Sequence, residues 1–353
     1  MIDILKDILI YISGLYTLPW ILVGFILTII FARIIGRDKI DQIMKKIGLI
    51  ILYFFIPILV FRIFLNTDFG KNEVEFAIVV SFIVFFMYLI AFIFAIFKAK
   101  SWGLKGFEKN LFIKTVITNQ GRSSAFIGGA LLASPWKIEA AIYIALVGIA
   151  LFAIIPYILS YIHKNENKKK EIKEVKTLPW FLKIYPWYLI AFVIVAVSIH
   201  GLTGLTTKDL GNDYETILLF YSAITIPAAL YYVGAGIHPN DLKKNELKKI
   251  FKMNKKNQSD DNWKWVRDII IITVIITPVL TALVFTPIFS LGLISSAWFA
   301  VIIINSILPI TSTNMFLVPY GIDKKSTAHS VTWTTIICVP IVVVLIMIFG
   351  IYL

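Results

Sequence analysis

Apolar stretches long enough to cross a bilayer recur ten times along this chain of 353 residues, and they leave little else to fold. A helix needs about 20 apolar residues to span the hydrocarbon core. Such stretches cover approximately 11–34, 46–66, 75–98, 110–133, 139–161, 182–203, 215–237, 266–288, 295–320 and 329–352. Lipid offers backbone amides and carbonyls no partners, so a spanning segment must bond within itself as a helix or close into a barrel. The alternating pattern of barrel strands is absent. The expected class is an all-α integral membrane protein of ten transmembrane helices. Only 16% of residues are charged, against about a quarter in a soluble domain, so no separate soluble domain is expected.

The net charge of +13 invites a nucleic-acid reading. The basic residues instead cluster in short stretches between apolar runs, as cytoplasmic loops of membrane proteins do, and no nucleic-acid partner is expected. Of 34 Lys and Arg, 28 fall in the stretches after spans one, three, five, seven and nine, and five on the other side; Arg122 lies inside a span. That bias expects a multi-pass protein of the cell (plasma) membrane with both termini extracellular. Trp20, Trp102, Trp136, Trp180 and Trp265 fall near span ends, where indoles favour the interface. The lone Cys338 excludes an intramolecular disulfide and a cysteine-based metal site. Asp3, Lys6 and Asp7 precede the first run without a compact basic start, which reads as a retained helix rather than a signal peptide. Residues 164–180 and 239–265 read as solvated basic connectors. The second contains LKKNELKKIFKM, which fits a short amphipathic helix on the inner membrane surface.

A repeat organises the spans. PWILVGF (Pro19 to Phe25) matches PWYLIAF (Pro186 to Phe192), and FIPILVF (Phe55 to Phe61) matches TIPAALY (Thr225 to Tyr231), at nearly equal offsets. A competing match pairs the two TLPW segments, Thr17 to Trp20 and Thr177 to Trp180. The units expected are a first five-helix repeat at 1–163, a cytoplasmic linker at 164–180 and a second repeat at 181–353. Five spans is an odd number, so the second copy must enter the membrane in the opposite sense. Inverted repeats of this kind characterise secondary transporters, whose sites form near the midplane from interrupted helices. Pro57 and Pro227 fall at matched places and suggest a shared hinge or scaffold role.

The fourth span of each half carries an interruption. Span four holds TNQGRSSAFIGG (Thr118 to Gly129), and span nine holds NSILPITSTNMFLVPYG (Asn305 to Gly321). Gly121, Gly128 and Gly129 weaken one helix; Pro309 removes a donor from the other. Broken backbone at bilayer depth is tolerated where protein or water satisfies it. The candidate substrate-binding set is Asn119, Gln120, Gly121, Arg122, Ser123, Pro309, Thr311, Ser312, Thr313 and Asn314, with Ser124 beside it. The bland alternative is that these small polar residues only join helices. Arg122 is the most informative: a guanidinium within a span is costly and should face water, a partner or a substrate, and its planar fork suits a carboxylate. Snorkelling, or pairing with a loop acid, is the structural alternative. No Asp or Glu occupies the middle of a predicted span, so a carboxylate relay for protons has no carrier; a sodium site of carbonyls and hydroxyls stays open. His200 and His329 read as solvated or packing residues. No catalytic residue, metal or cofactor is expected.

These features resemble the auxin efflux carrier family, which includes plant auxin exporters and prokaryotic malate and malonate permeases, within the wider bile acid/sodium symporter-like superfamily. The resemblance rests on IPILVF in span two, Asn119 to Gly121 in span four, IPAALYYVGAGI in span seven, and LPITSTNMFLVPYGIDKKSTAHSVTWTTIICVP at the end. It implies a scaffold of spans one, two, six and seven, and a transport part of spans three to five and eight to ten that crosses at spans four and nine. It also implies a small-carboxylate substrate, alternating access and room for a homodimer. Gln120 and Arg122 depart from the small or apolar residues usual at the first break, and a proline is absent there. The expected function is a secondary transporter or facilitator exporting a small organic anion, with membrane lipid as its surroundings. A sodium- or proton-coupled organic-anion symporter is the alternative, and a membrane-embedded enzyme a third.

Overall fold

The computed structural model describes residue 8 and residues 19–68, 70–123, 135–168, 180–237, 261–311, 314, 317–318 and 320–352. Among these the chain is helical; the only β-type contact is a single antiparallel bridge between Arg122 and Ile310. In chain order the helices are α1 (Trp20–Ile35), α2 (Arg37–Ile50, Ile51–Phe55, Ile56–Leu65), α3 (Lys71–Ser101), α4 (Gly106–Thr118), α5 (Lys137–Ile149, Ala150–Ile154, Ile155–Lys168), α6 (Trp180–Thr203), α7 (Asn212–Ala235), α8 (Asp261–Ile270, Ile271–Ile276, Thr277–Ser290), α9 (Ser296–Ser306) and α10 (Lys324–Tyr352). Each apolar stretch read from the sequence overlaps one of these helices, though not all of them are long enough to span. Six helical stretches are long and apolar enough to cross a membrane: Arg37–Leu65, Lys71–Ser101, Lys183–Thr203, Asn212–Ala235, Trp263–Ser290 and Lys324–Tyr352. Phe82, Phe85 and Phe97 on α3 face outward, as a lipid-facing surface requires.

The basic stretches are less loop-like than expected. Gly36, at φ +87°, turns the chain directly from α1 into α2, so Arg37, Lys39, Lys45 and Lys46 lie on a helix. Its first part, RDKIDQIMKKIGLI, spaces Ile40, Met44 and Ile47 along one face, which explains the helix. Lys114, counted with the basic loops, is fully buried on α4. The segment LKKNELKKIFKM lies outside the described residues.

Three helices widen by one residue per turn just before a proline. The middle segments of α2, α5 and α8 are π-helical, and Pro57, Pro156 and Pro278 follow each one. Proline offers no N–H and crowds the carbonyl four residues back. A wide turn relieves that crowding and leaves carbonyls unpaired. In α2 the carbonyl of Tyr53, four residues before Pro57, accepts instead from the Tyr188 hydroxyl of α6 at 3.0 Å. Pro227 sits inside an uninterrupted α7. The matched prolines Pro57 and Pro227 therefore have different local geometry.

Two groups of packing contacts stand out, and α5 joins them, packing on α2 and α6 as well as on α3. In the first, α1 packs on α7, and α2 packs on α6 and α7. Glycines set the α1–α7 distance. A Cβ on Gly24 would fall on the Tyr231 carbonyl, and one on Gly234 would fall on the Ile21 carbonyl. Tyr53, Phe181, Tyr185 and Tyr188 form an aromatic cluster between α2 and α6. Across that group's end, Asn66 Oδ1 accepts from Thr207 N (3.1 Å) and Thr207 Oγ1 (3.0 Å). In the second group, α3 packs on α4 and α5, and α8 packs on α9 and α10. Lys98 and buried Asp268 approach to 3.5 Å between α3 and α8.

Candidate functional site

Two chain breaks cross in the second group. Helix α4 ends at Thr118, and the next residues leave helical geometry. Helix α9 ends at Ser306, and Pro309 biases Leu308 toward extended backbone. The two non-helical stretches run antiparallel. Ser123 N donates to Pro309 O (2.8 Å), and Thr311 N donates to Gly121 O (3.0 Å), framing the Arg122–Ile310 bridge. Broken helices thus satisfy each other's backbone at depth, as a low-dielectric site demands. Gly121 is required for the approach: a Cβ there would meet Asn314 Oδ1 at 2.7 Å and Leu151 Cδ1 at 2.9 Å.

The side chains around the crossing are almost wholly buried. Arg122 is 1% exposed. Its Nη1 donates to Leu308 O and its Nη2 to Thr273 O, each at 3.2 Å. Both acceptors follow from local breaks. Leu308 lies beyond the end of α9. Thr273 lies in the π segment of α8, where Thr277 N bonds Ile272 O and Pro278 has no N–H to give. The carbonyl of Thr273 is thereby freed from its own helix and accepts from Arg122. Helices α4 and α9 also bring their C-terminal ends to this point, each carrying roughly half a negative charge. Carbonyls and helix ends therefore surround the guanidinium. Among the described residues no carboxylate pairs with it, and its Nε has no hydrogen-bond partner. Its burial leaves no room for snorkelling, and among the described residues no loop acid accounts for its position.

Neighbouring groups are partly satisfied. Asn119 Nδ2 donates to Thr115 O (2.8 Å) and to Thr327 Oγ1 of α10 (3.2 Å). Gln120 Nε2 donates to Thr273 Oγ1 (3.3 Å). Ile310 N donates to Thr334 Oγ1 of α10 (3.1 Å). Among the described residues, the amide oxygens of Asn119 and Gln120, the Thr118 hydroxyl and both polar atoms of the Asn314 side chain have no partner. Asp323 caps α10, accepting from Ser326 N at 2.6 Å, and its own N–H donates to Thr115 Oγ1 of α4 at 2.9 Å. The short turn at Tyr320 to Asp323, with Gly321 at φ +75°, thus ties α10 to the α4 break.

Of the candidate residues, the crossing gathers Asn119, Gln120, Gly121, Arg122, Ser123, Pro309, Thr311 and Asn314. Ser312, Thr313 and Ser124 lie outside the described residues. Thr273, Thr327 and Thr334 were not expected; Pro278 behind a threonine-containing apolar run was the signal for the first. Beside Arg122 and Gln120 is a cavity of about 10 Å³, walled by Val84, Tyr88, Tyr143 and Val147. That is room for about one water, so the crossing is closed around its cation.

Helices of this length and two mutually bonded chain breaks define a multi-pass membrane protein of transporter-like build. The chain belongs to the family described as conserved hypothetical protein 698, whose model matches residues 65–253. That match runs through α3 to α7 and includes the first break. It is a conserved membrane-protein family, and the match does not extend to the auxin efflux carriers that the motifs resemble. No curated protein matches the chain.

Proposed function

We propose that the chain is a secondary transporter or facilitator that exports a small organic anion by alternating access at the α4–α9 crossing. The observation that carries this reading is Arg122: a buried guanidinium held by two carbonyls, with no carboxylate among its described neighbours. A lone buried charge is costly, and an anionic substrate supplies what the carbonyl dipoles only partly offset.

The packing pattern supports ten helices in two inverted repeats. Advancing each helix by five places turns α1 on α7 into α6 on α2. It likewise turns α3 on α4 into α8 on α9, and α3 on α5 into α8 on α10, all of which are observed. In this reading α1, α2, α6 and α7 form the scaffold, and the other six helices move against it. The auxin efflux carrier resemblance assigns the same division. The protein lies in the cell membrane with both termini outside.

Two vestibules support the outward direction. One, of about 440 Å³, opens between α2, α7 and the start of α10, and Arg37, Lys45 and Lys324 line it with Asp38 and Asp41. In this reading it faces the cytoplasm, which the charge bias supports. Its Ala328 is next to Thr327, the partner of Asn119. The other, of about 470 Å³, opens at the opposite end and carries Glu73, Glu75 and Glu139. A basic inner mouth gathers anions, and an acidic outer one favours their departure.

A cation-coupled symporter is the second reading, favoured by the unpartnered neutral oxygens of Thr118, Asn119 and Asn314. Flux of malate, malonate and indole-3-acetate in proteoliposomes, with and without imposed sodium, proton and voltage gradients, tests both. Saturable carboxylate flux without sodium is the expected result. Strict sodium dependence selects the symporter, and no flux of any carboxylate contradicts both.

A further inference from the structure

A groove of about 380 Å³ runs along α3 and α5. Its wall is nearly all apolar, with Phe85, Leu89 and Phe92 from α3 and Ile149, Ile154 and Ile158 from α5. Phe85, Leu89 and Ile154 are exposed at its rim, so it opens to the bilayer. The π segment Ala150–Ile154 forms part of its wall, where Pro156 forces α5 to widen. From Ser81 to Phe92 the groove follows α3 for about 17 Å. That length suits one extended acyl chain.

The back of the groove gives the occupant away. Val84 and Tyr88 line both the groove and the small cavity that holds Arg122 and Gln120. A lipid-facing channel and a buried guanidinium are therefore one side chain apart. Arg122 Nε and Gln120 Oε1, both on residues almost wholly buried, have no hydrogen-bond partner among the described residues. A hydrocarbon chain alone would fill the groove and leave the charge unmatched. A diacyl lipid would keep its headgroup at the interface, far from Arg122.

From this juxtaposition, and resting on Arg122 as an anion site, we infer a lateral binding site for a single-chain amphipathic carboxylate. The chain lies between α3 and α5, and the carboxylate reaches Arg122. Tyr88 rotates out of the shared wall, and its hydroxyl donates to the arriving carboxylate. The site gives the transporter a membrane-side path for fatty-acid-like anions besides the aqueous path from the inner vestibule.

The test uses the full chain in liposomes and two photoreactive probes, a diazirine-bearing palmitate and the matching diazirine alcohol. Mass spectrometry locates the adducts. The expected result is labelling of 81–92 and 146–162 by the acid, with about tenfold less by the alcohol, as loss of a charge-assisted contact implies. Arg122→Gln lowers acid labelling by a similar factor. Leu89→Trp, which fills the groove at its lipid rim, lowers it without touching Arg122 and keeps the test valid should Arg122→Gln fail to fold. Equal labelling by acid and alcohol in the unmodified protein overturns the inference, since ordinary chains then occupy the groove. Malonate flux read in parallel separates the two ideas. Flux with charge-blind labelling removes the lateral site alone; charge-dependent labelling without any short-carboxylate flux upholds it and removes the short-carboxylate reading.

Discussion

The molecule contains two helix crossings of opposite character. Where α1 meets α7, Gly24 and Gly234 press against each other's carbonyl neighbours, and side chains are excluded from the contact. Where the α4 and α9 breaks meet, the backbone exchanges two hydrogen bonds, and polar side chains with spare lone pairs crowd round a guanidinium. In lipid there is no hydrophobic drive to join helices, so close packing of small residues holds the first crossing. The second crossing holds through a few hydrogen bonds that water or an anion could replace. One crossing has no room for a side chain, and the other gathers polar atoms without partners among the described residues.

The largest effect should come from breaking the first crossing. Gly24→Leu drives a side chain into the Tyr231 carbonyl, which cannot move aside as a flexible side chain would. Overpacking of a core costs about 1–3 kcal/mol, and a backbone obstacle puts this variant at the upper end or beyond. Loss of monodisperse protein in size-exclusion chromatography is expected; a well-folded Gly24→Leu protein would show that α1 and α7 are not locked.

Next in size is Lys98→Met. It strands the buried Asp268 carboxylate, whose nearest cation is Lys98 at 3.5 Å. Breaking a buried pair costs about 3–5 kcal/mol, and the partial exposure of Lys98 lowers that toward ~2 kcal/mol. The Lys98→Met, Asp268→Asn double variant should recover most of the lost thermal stability. Equal destabilisation in the single and double variants would deny the pairing.

Pro278→Ala probes the second crossing at a distance. It returns an N–H to α8 and gives Thr273 O a donor within its own helix. Arg122 then competes for one acceptor, a change of about 1 kcal/mol. Carboxylate KM should shift several-fold with little change in thermal stability. An unaltered KM would detach the π segment from the site.

Asp323→Ala should have the smallest effect, about 1 kcal/mol from loss of the α10 N-cap. Amide exchange in the first turn of α10 should rise, while α7 stays unchanged.

Much of the second crossing could be read in the sequence, because its causes are local. Gly121 and Pro309 interrupt apolar runs, and an arginine inside a span announces itself. The identity of Arg122's acceptors could not be read. Leu308 and Thr273 lie 186 and 151 residues away, and only tertiary packing selects their carbonyls. The first crossing shows the reverse. Gly24 and Gly234 both fall in segments that stood out, PWILVGF and IPAALYYVGAGI, yet each glycine looks ordinary until α1 is known to pack on α7. The basic loops misled for a physical reason: Lys and Arg sit as comfortably on the end turns of a helix as in a connector, so charge marks the side of the membrane and not the helix boundary.

The most direct measurement is thermal unfolding of the purified protein against rising malonate. A ligand that binds the folded state raises stability by about 2.7 kcal/mol at a hundredfold excess over Kd. The unmodified protein should gain several degrees in Tm, while folded Arg122→Gln should gain none. An equal malonate-dependent shift in both proteins would contradict Arg122 as the anion site of the crossing.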